Sequence, residues 1–272
     1  MRVGFIGLGV QGKPLARNVA TAGHDLMVYD VRRAPMEELA TAGARIGASP
    51  REVGAHGEIV QVCVLDDAQV EDVILGPSGI LAGSPAGTIV AVHSTVAPAT
   101  MVKIAAVAAK AGVALVDAPV SGGEPGAVNR TMSYMLGGDA DAIARCEPLF
   151  RISGDRITRT GAIGTATVAK LAHQVVACGN MLAMAEGMRL GLRAGLSRDV
   201  LLKVIHDGFA QSRVGDMWAE LDLAPRAAPL FRKDLRTSLE LARALGLDLP
   251  GTVLIEQHLA DILPRAGGGN CQ

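Results

Sequence analysis

Aromatic residues are scarce in this chain of 272 residues: they make up 3% of it, against 49% for the hydrophobic residues as a whole. The core must therefore be built mainly from aliphatic side chains. The high apolar share excludes intrinsic disorder, which needs low hydrophobicity and a high net charge. Glycine is frequent, at 33 residues, but it follows no G-X-Y period, so a collagen-like chain is also excluded.

An excess of one charge and long hydrophobic runs are lacking as well. The 26 basic and 27 acidic residues leave a formal net charge of −1, so no overall field favours nucleic acid or an anionic membrane. No stretch approaches the roughly 18–20 apolar residues of a membrane span. We therefore expect a protein that binds neither nucleic acid nor membrane.

Cysteine is sparse, and no two of the four cysteines have C-x-x-C spacing, which excludes the usual zinc and thioredoxin-like signatures. Scattered thiols of this kind are typical of a reducing compartment. The glycine-interrupted N-terminus resembles a buried strand more than a signal peptide. The sequence thus predicts a cytoplasmic protein with no metal site.

Strand-like and helix-like segments alternate up to about residue 160. Apolar runs of strand length occur at 3–6, 26–29, 59–65, 88–92, 113–116 and 132–136. The alternation predicts parallel strands with crossover helices, hence a doubly wound α/β sheet. From residue 165 the pattern is helical only, with a long helix over 165–193 and shorter ones at 198–206, 231–245 and 251–263. We place an α/β domain at residues 1–161 and an all-α domain at 162–272, joined by the long helix.

The first apolar run leads directly into a G-x-G-x-x-G segment, Gly7-Leu8-Gly9-Val10-Gln11-Gly12. Between a strand and a helix this pattern is typical of a dinucleotide-binding turn. Gly7 permits the tight turn, Gly9 lets the backbone approach a pyrophosphate, and Gly12 lets helix and strand pack closely. The alternative is a plain connection in which the glycines are merely tolerated.

Asp30 ends the second apolar run, about 20 residues after the glycines, where a carboxylate can accept the hydroxyls of an adenosine ribose. This position favours NAD, because the carboxylate would repel the 2′-phosphate of NADP. Arg32 and Arg33 keep NADP possible, since a guanidinium nearby can hold that phosphate.

Four further motifs follow in order: Ser94-Thr95-Val96-Ala97-Pro98, Asp117-Ala118-Pro119-Val120-Ser121-Gly122-Gly123, Gly161-Ala162-Ile163-Gly164 followed by Lys170-Leu171, and Phe231 with Lys233-Asp234. Together with the glycine segment they resemble the β-hydroxyacid dehydrogenase family, which includes 3-hydroxyisobutyrate dehydrogenase and tartronate semialdehyde reductase. The resemblance spans nearly the whole chain. It implies a Rossmann domain, a long linking helix and an all-α domain. It also implies an enzyme that exchanges a hydride between NAD(P) and a small 3-hydroxy acid or its semialdehyde.

The resemblance also implies roles for individual residues. Lys170 would be the acid/base, because removing a hydride from an alcohol carbon requires the hydroxyl proton to leave. The substrate carboxylate would be held by Ser121, Gly122 and Gly123. The cofactor-binding set would comprise Gly7, Leu8, Gly9, Val10, Gln11, Gly12, Asp30, Leu65, Asp66, Thr95 and Lys233, with Thr95 beside the nicotinamide and Lys233 closing from the helical domain.

Some positions depart from the family pattern. Gln174, one helical turn after Lys170, replaces the usual substrate-binding Asn and keeps the amide on the same helix face. Phe209-Ala210-Gln211-Ser212 stands where a Gly-Arg-Ser stretch is common. In the cofactor set, Gln11 replaces a Met and Asp66 a Pro. These changes leave two alternatives: a reductase of a larger or less anionic carbonyl or imine, or a nucleotide-binding protein without turnover. Retention of Lys170 and Lys233 argues against the second.

The long helix has apolar or small residues around much of its circumference. A helix that is apolar on several sides needs several partners. The sequence therefore predicts a homo-oligomer, either a dimer or a tetramer.

Overall fold

The structure, a computed structural model, describes residues 1–221, 223 and 227–263. The chain divides into two compact units, Met1–Lys170 and Leu171–Gln272, called unit 1 and unit 2 below. None of the helices in the described residues is long and apolar enough to cross a membrane.

Unit 1 is built on one sheet. Its strands are β1 (Arg2–Ile6), β2 (Asp25–Tyr29), β3 (Arg45–Ile46), β4 (Ile59–Val62), β5 (Ile89–Val92), β6 (Ala114–Asp117), β7 (Val120–Ser121), β8 (Ser133–Gly138) and β9 (Arg156–Gly161). The order β3-β2-β1-β4-β5-β6 is parallel throughout. β8 then runs antiparallel to β6, and β9 pairs with β8 in parallel. The predicted doubly wound α/β sheet is confirmed.

Helices cover both faces of this sheet. They are α1 (Gly12–Thr21), α2 (Arg33–Ala40), α3 (Pro50–His56), α4 (Asp67–Leu75), α5 (Pro98–Lys110), α6 (Gly123–Val128) and α7 (Ala140–Phe150), with a 3-10 turn at Ile80–Ala82. Side chains alternate between faces along a strand. In β5, Ile89 and Ala91 join one apolar cluster, while Val90 and Val92 join the other. Burial on both faces explains why these strands are continuous apolar runs.

β6 and β7 form one interrupted strand along β8. Asp117 pairs with Gly137 and Ser121 with Ser133, in one unbroken register. Between them the carbonyl of Pro119 accepts a hydrogen bond from Met135 N at 3.0 Å. β5 ends opposite Asp117, because Val92 is its last paired residue. β7 therefore continues past the carboxyl edge of the parallel strands and carries Ser121 beyond it.

The long helix α8 (Thr165–Arg193) begins in unit 1 and ends in unit 2, with the bounds that the sequence predicts. α9 (Arg198–Asp207), α10 (Arg213–Asp216), α11 (Ala228–Ala244) and α12 (Pro250–Ile262) follow, and no strand follows β9 in the described part of the chain. The apolar core of unit 2 includes Met188 of α8, Leu235 of α11, Leu259 of α12 and the single tryptophan, Trp218. The predicted all-α C-terminal region is confirmed.

Candidate functional site

The predicted site residues of unit 1 follow neighbouring strands at the same edge of the sheet. The glycine segment follows β1, Asp30 follows β2, Leu65 and Asp66 follow β4, Thr95 follows β5, and Ser121 ends β7. Parallel strands place their carboxyl ends at one edge, which is where α/β sheets bind ligands. The structure thus gathers these residues on one side of unit 1.

Packing requires glycine at two of the three glycine positions of the G-x-G-x-x-G segment, whereas the third position borders open space. Gly7 has φ +90°, and a Cβ there would lie 2.4 Å from the carbonyl oxygen of Cys63. A Cβ on Gly12 would lie 2.0 Å from the carbonyl oxygen of Gly7, so both positions need glycine for the fold itself. A Cβ on Gly9 would meet no atom within 4 Å. Packing does not require glycine there, whereas the close approach of a pyrophosphate does.

Asp30 is bonded to the glycine segment and to Arg32. Its Oδ2 accepts a hydrogen bond from Leu8 N at 2.6 Å, and its Oδ1 accepts from Arg32 N at 2.8 Å and Nε at 3.0 Å. Arg32 Nη2 also donates to the carbonyl of Leu8 at 3.1 Å. Although burial acts to raise the pKa of Asp30, the hydrogen bonds and charge of Arg32 and the Leu8 N–H outweigh it and hold the pKa below its usual value. The carboxylate therefore stays ionised at neutral pH.

Exposed apolar side chains surround this edge. Val10 of the glycine segment is 64% exposed, Val31 is 88% exposed, and Leu65 is 53% exposed. Each follows one of the strands β1, β2 and β4. Ligand sites combine apolar surface with a few placed polar groups. This arrangement fits a dinucleotide, which has flat rings at both ends of a charged linker.

Asp66 and the segment after β5 are held by local hydrogen bonds. The Asp66 carboxylate caps α4 by accepting from Gln69 N at 2.9 Å, and the Gln69 side chain accepts from Leu65 N at 3.0 Å. Ser94 Oγ accepts from Val64 N and donates to Val64 O, at 3.0 and 2.8 Å. These bonds fix the backbone ahead of Thr95, which is itself buried.

The segment after β7 has an unusual backbone. Gly122 has φ +133° and Gly123 has φ +61°, values that a residue with a side chain rarely adopts. Both glycines are exposed, whereas Ser121 is half-buried. Gly122 precedes the short helix α6, and Gly123 is its first residue. Consecutive residues of this kind can present N–H groups to an anion. The segment suits the predicted carboxylate-binding role.

Lys170 is buried, with 7% of its surface exposed, on the second turn of α8. The start of that helix is bonded to the sheet, because Asp117 Oδ2 accepts from Thr167 N at 3.0 Å. Lys170 thus belongs to the part of unit 1 that meets the carboxyl edge of β6.

Unit 2 contains a separate polar cluster around Asp234, of which 1% is exposed. Gln174 Nε2 donates to Asp234 Oδ2 at 2.7 Å, and Lys233 Nζ lies 2.9 Å from Asp234 Oδ1. Because an ionised carboxylate only accepts, the amide nitrogen of Gln174 must face Asp234. Its oxygen lies 3.2 Å from His173 Nδ1. Gln174 and Lys233, both predicted site residues, are therefore joined by one carboxylate.

The segment that departs from the family pattern is exposed. Phe209 is fully exposed, and Gln211 Nε2 donates to the Asp216 carboxylate at 3.2 and 3.4 Å. None of the residues that the structure describes buries the aromatic ring.

Asp117 and Asp234 are the residues that sequence reasoning missed. Both lie in the quoted motifs, but neither was assigned a role. The sequence did indicate that another residue must cap the long helix, because Gly164 precedes that helix and has no side chain to cap it.

The described residues contain no group of three or more His, Cys, Asp or Glu side chains placed to hold a metal.

Two family models together match almost the whole chain. The NAD-binding domain of 6-phosphogluconate dehydrogenase matches residues 2–164. The NAD-binding model of NADP-dependent 3-hydroxyisobutyrate dehydrogenase matches residues 164–271.

Curated relatives and solved structures agree with these matches. 2-Hydroxy-3-oxopropionate reductase of Escherichia coli is 34% identical, over 94% of this chain and 89% of its own length. The NAD-dependent L-serine dehydrogenase of Pseudomonas aeruginosa is also 34% identical, over 92% and 88%. The crystal structure of a 3-hydroxyisobutyrate dehydrogenase from Salmonella typhimurium is similar at a TM-score of 0.84 and 28% identity, over 99% of this chain and 98% of that one.

Proposed function

The chain belongs to the β-hydroxyacid dehydrogenase family, an NAD(P)-dependent oxidoreductase family, and we propose that it interconverts a small 3-hydroxy acid and its semialdehyde with Lys170 as the acid/base. The observation that carries this proposal is the burial of Lys170 on a helix bonded to the sheet edge that also holds the glycine segment. The bound nicotinamide would supply or accept the hydride.

The residues of unit 1 divide the work of binding. The N–H groups after Gly7 and at the start of α1 hold the pyrophosphate, and Asp30 accepts the ribose hydroxyls. Thr95 lies beside the nicotinamide, and Leu65 and Asp66 border the cofactor. Ser121 and the N–H groups of Gly122 and Gly123 hold the substrate carboxylate. Lys170 takes the hydroxyl proton in the oxidative direction and returns it in the reductive direction.

We assign Lys233 to cofactor binding and Gln174 to substrate binding, as the resemblance implies. Their joint bond to Asp234 holds both side chains in fixed positions.

The substrate class follows from the relatives. The two enzymes above are named for 2-hydroxy-3-oxopropionate and L-serine, and a third relative, from Eubacterium barkeri and 31% identical, is named for 2-(hydroxymethyl)glutarate. Each compound is a carboxylate with a terminal hydroxymethyl or aldehyde group near it. We expect this chain to use a member of that class. The test is a panel of these compounds, 3-hydroxyisobutyrate, a cyclic imine and an uncharged aldehyde, each assayed by absorbance with NAD(H) and NADP(H). Turnover of at least one supports the proposal, whereas turnover only of cyclic imines or uncharged carbonyls contradicts it.

We propose NAD as the preferred cofactor. Asp30 would repel a 2′-phosphate, and the cations beside it are already paired: Arg32 with Asp30 and Arg33 with Glu37 at 3.0 Å. Asp30→Ala should weaken NAD binding about 10- to 100-fold, as expected for lost hydrogen bonds to a charged group, and relax the preference. Asp25→Ala, at the opposite end of β2, is the matched control. Tighter binding of NADP than of NAD by the unaltered protein would contradict the assignment.

A homo-oligomer is proposed from the surface of unit 2. None of the residues of α9 is buried. Val204 in this helix is 65% exposed, and Phe209, shortly after the helix ends, is fully exposed. Exposed apolar surface of this extent is typical of an interface. Light scattering should give a dimer or tetramer, and a monomer of 28.0 kDa at micromolar concentration would contradict this.

The unpaired thiols of Cys63 and Cys146 fit a cytoplasmic location.

A further inference from the structure

The start of α8 has no capping side chain of its own. The first N–H groups of a helix lack partners within it and need acceptors from elsewhere. The residue before α8 is Gly164, with φ +91°, which has no side chain to provide one. Thr165 N is satisfied by the carbonyl of Ala162 at 3.1 Å. The N–H groups just after it need an acceptor from another element.

Asp117, the last residue of β6, provides that acceptor. Its side chain is fully buried, and its Oδ2 accepts from Thr167 N at 3.0 Å and from Thr167 Oγ1 at 3.4 Å. Burial raises the pKa of this carboxyl, while hydrogen bonding by the N–H groups of Thr167, Gly164 and Ala166 acts in the opposite direction. A strand residue fifty positions away thus caps the helix that carries Lys170.

The carboxylate is also confined from the other side. A Cβ on Gly137, the β8 residue paired with Asp117, would lie 2.4 Å from Asp117 Oδ1 and 2.8 Å from the carbonyl oxygen of Ala162. Glycine at 137 therefore lets the strand, the carboxylate and the loop before α8 come together. Little freedom remains for the start of the helix to shift.

Lys170 lies three residues after Thr167, less than one helical turn away. A rigid helix passes any displacement of its first turn directly to that position. Misplacing a reacting group by about 1 Å can cost on the order of 100-fold in rate. The bond that fixes Thr167 on the sheet therefore also fixes the side chain that would exchange the proton.

We propose that Asp117 is a positioning residue for the proton-transfer step: by capping α8 from β6, it sets the axial and rotational position of Lys170 at the sheet edge. This inference rests on the proposed function, in which Lys170 is the acid/base. Asp117 itself contacts neither substrate nor cofactor in this account.

The first test is Asp117→Asn, which keeps the shape but turns an amide toward the helix N–H groups. We expect kcat to fall about 10- to 100-fold, by the displacement argument, while the Kd for the preferred cofactor stays within about twofold. The pH profile of kcat should also change, because the surroundings of Lys170 change. The matched control is Asp139→Asn, since Asp139 caps α7 through Asp141 N and Ala142 N and α7 carries no site residue. That control should lose some stability but keep its kcat and pH profile.

Gly137→Ala is the second variant, in case Asp117→Asn does not fold. The added methyl group pushes on the same carboxylate from β8, so the same fall in kcat with unchanged cofactor binding is expected. If either folded variant kept a wild-type kcat and pH profile, the positioning role would be overturned.

A double-mutant cycle separates this inference from the proposed function. If Asp117 acts through Lys170, then Asp117→Asn should lower kcat no further in a Lys170→Ala background. A further fall of 10-fold or more in that background would overturn the positioning role. Full turnover by Lys170→Ala alone would instead overturn the proposed function. Loss of turnover in Lys170→Ala with a wild-type rate in Asp117→Asn would overturn only the inference.

Discussion

Asp117 in unit 1 and Asp234 in unit 2 are both buried carboxylates, but they are stabilised by different kinds of partner. Asp117 accepts from Thr167 and lies against the N–H groups at a helix start. Asp234 is paired with the ammonium of Lys233 and the amide of Gln174. The first joins a strand to the backbone of a helix, and the second joins side chains of two helices. The buried carboxylate of unit 1 therefore fixes the position of a helix, whereas that of unit 2 is stabilised mainly by the opposite charge of Lys233.

The largest expected effect on stability is that of Asp234→Ala. It leaves Lys233 and Gln174 without their shared acceptor, and breaking a buried pair costs about 3–5 kcal/mol. Since the Lys233 side chain is 20% exposed and can partly reach water, we expect the free energy of unfolding to fall by about 3 kcal/mol. Trp218, buried in the core of unit 2, reports the urea transition by fluorescence.

The matched control is Asp207→Ala, which removes the exposed Lys203–Asp207 pair of α9 in the same unit. Exposed pairs contribute about 0–1 kcal/mol, so its transition should hardly move. Equal shifts for the two variants would show that burial does not distinguish these ion pairs.

Acid should destabilise unit 1 through His93, another buried group with uncharged partners. Its Nδ1 lies 2.8 Å from the carbonyl oxygen of Ala118 and its Nε2 2.8 Å from the Gln61 amide. Burial lowers the pKa of His93 to about 4 from 6.5. The unfolded chain therefore binds the proton first, and stability present above pH 6.5 is lost as the pH falls toward 4. The loss amounts to about 3 kcal/mol at 1.36 kcal/mol per pKa unit.

Urea titrations followed by circular dichroism between pH 7 and 4 measure this loss. His93→Phe, which keeps a ring beside Phe5, Tyr134 and Phe150, should remove that part of the pH dependence. His206→Gln, at an exposed position on α9, should leave it intact. An unchanged slope in His93→Phe would assign the acid sensitivity to another group.

Gln174→Asn should have a smaller effect, about 1–2 kcal/mol at the Trp218 transition. The shorter side chain cannot reach Asp234 unless one of the two residues moves, so the 2.7 Å hydrogen bond between them is weakened or lost. Hydrogen bonds to charged groups contribute about 1.5–3 kcal/mol. The Lys233–Asp234 pair survives in this variant. Gln211→Asn, which alters an exposed amide bonded to Asp216, is the control and should cost little. A stable Gln174→Asn variant would mean that Asp234 is held by Lys233 alone.

Most of the architecture could be predicted from the sequence, because the longer elements have clear periodicity. The long helix at 165–193 has no proline and a regular apolar stripe, and its bounds agree with the structure. β3, β7 and β9 were not predicted. β3 and β7 have two residues each, and β9 (Arg156–Gly161) is polar and mostly exposed. α3, α6 and α10 were also missed. Of these, α3 has a recognisable helix start in Ser49, Pro50 and Glu52.

The sequence named candidate members of the site from motifs and resemblance, but it did not predict the hydrogen bonds that connect them. The glycine segment and Asp30 are near in sequence, and a known turn joins them. The bonds of Asp117 to Thr167 and of Gln174 to Asp234 link residues fifty and sixty positions apart. Such pairs depend on strand order and helix packing, which local pattern does not encode. The resemblance supplied the motif residues, and the structure supplies what holds them.

Lys170→Met, assayed on a substrate that the panel identifies, tests whether Lys170 exchanges the proton. We predict a fall in kcat of about 10²–10⁴-fold, the usual contribution of positioned proton transfer, with cofactor Kd nearly unchanged. Lys170→Arg should not restore the rate, because a guanidinium does not give up its proton. Lys110→Met, at the exposed end of α5, is the matched control and should keep full activity. Near-normal turnover in Lys170→Met would contradict the account, and His173 would then be the next residue to test.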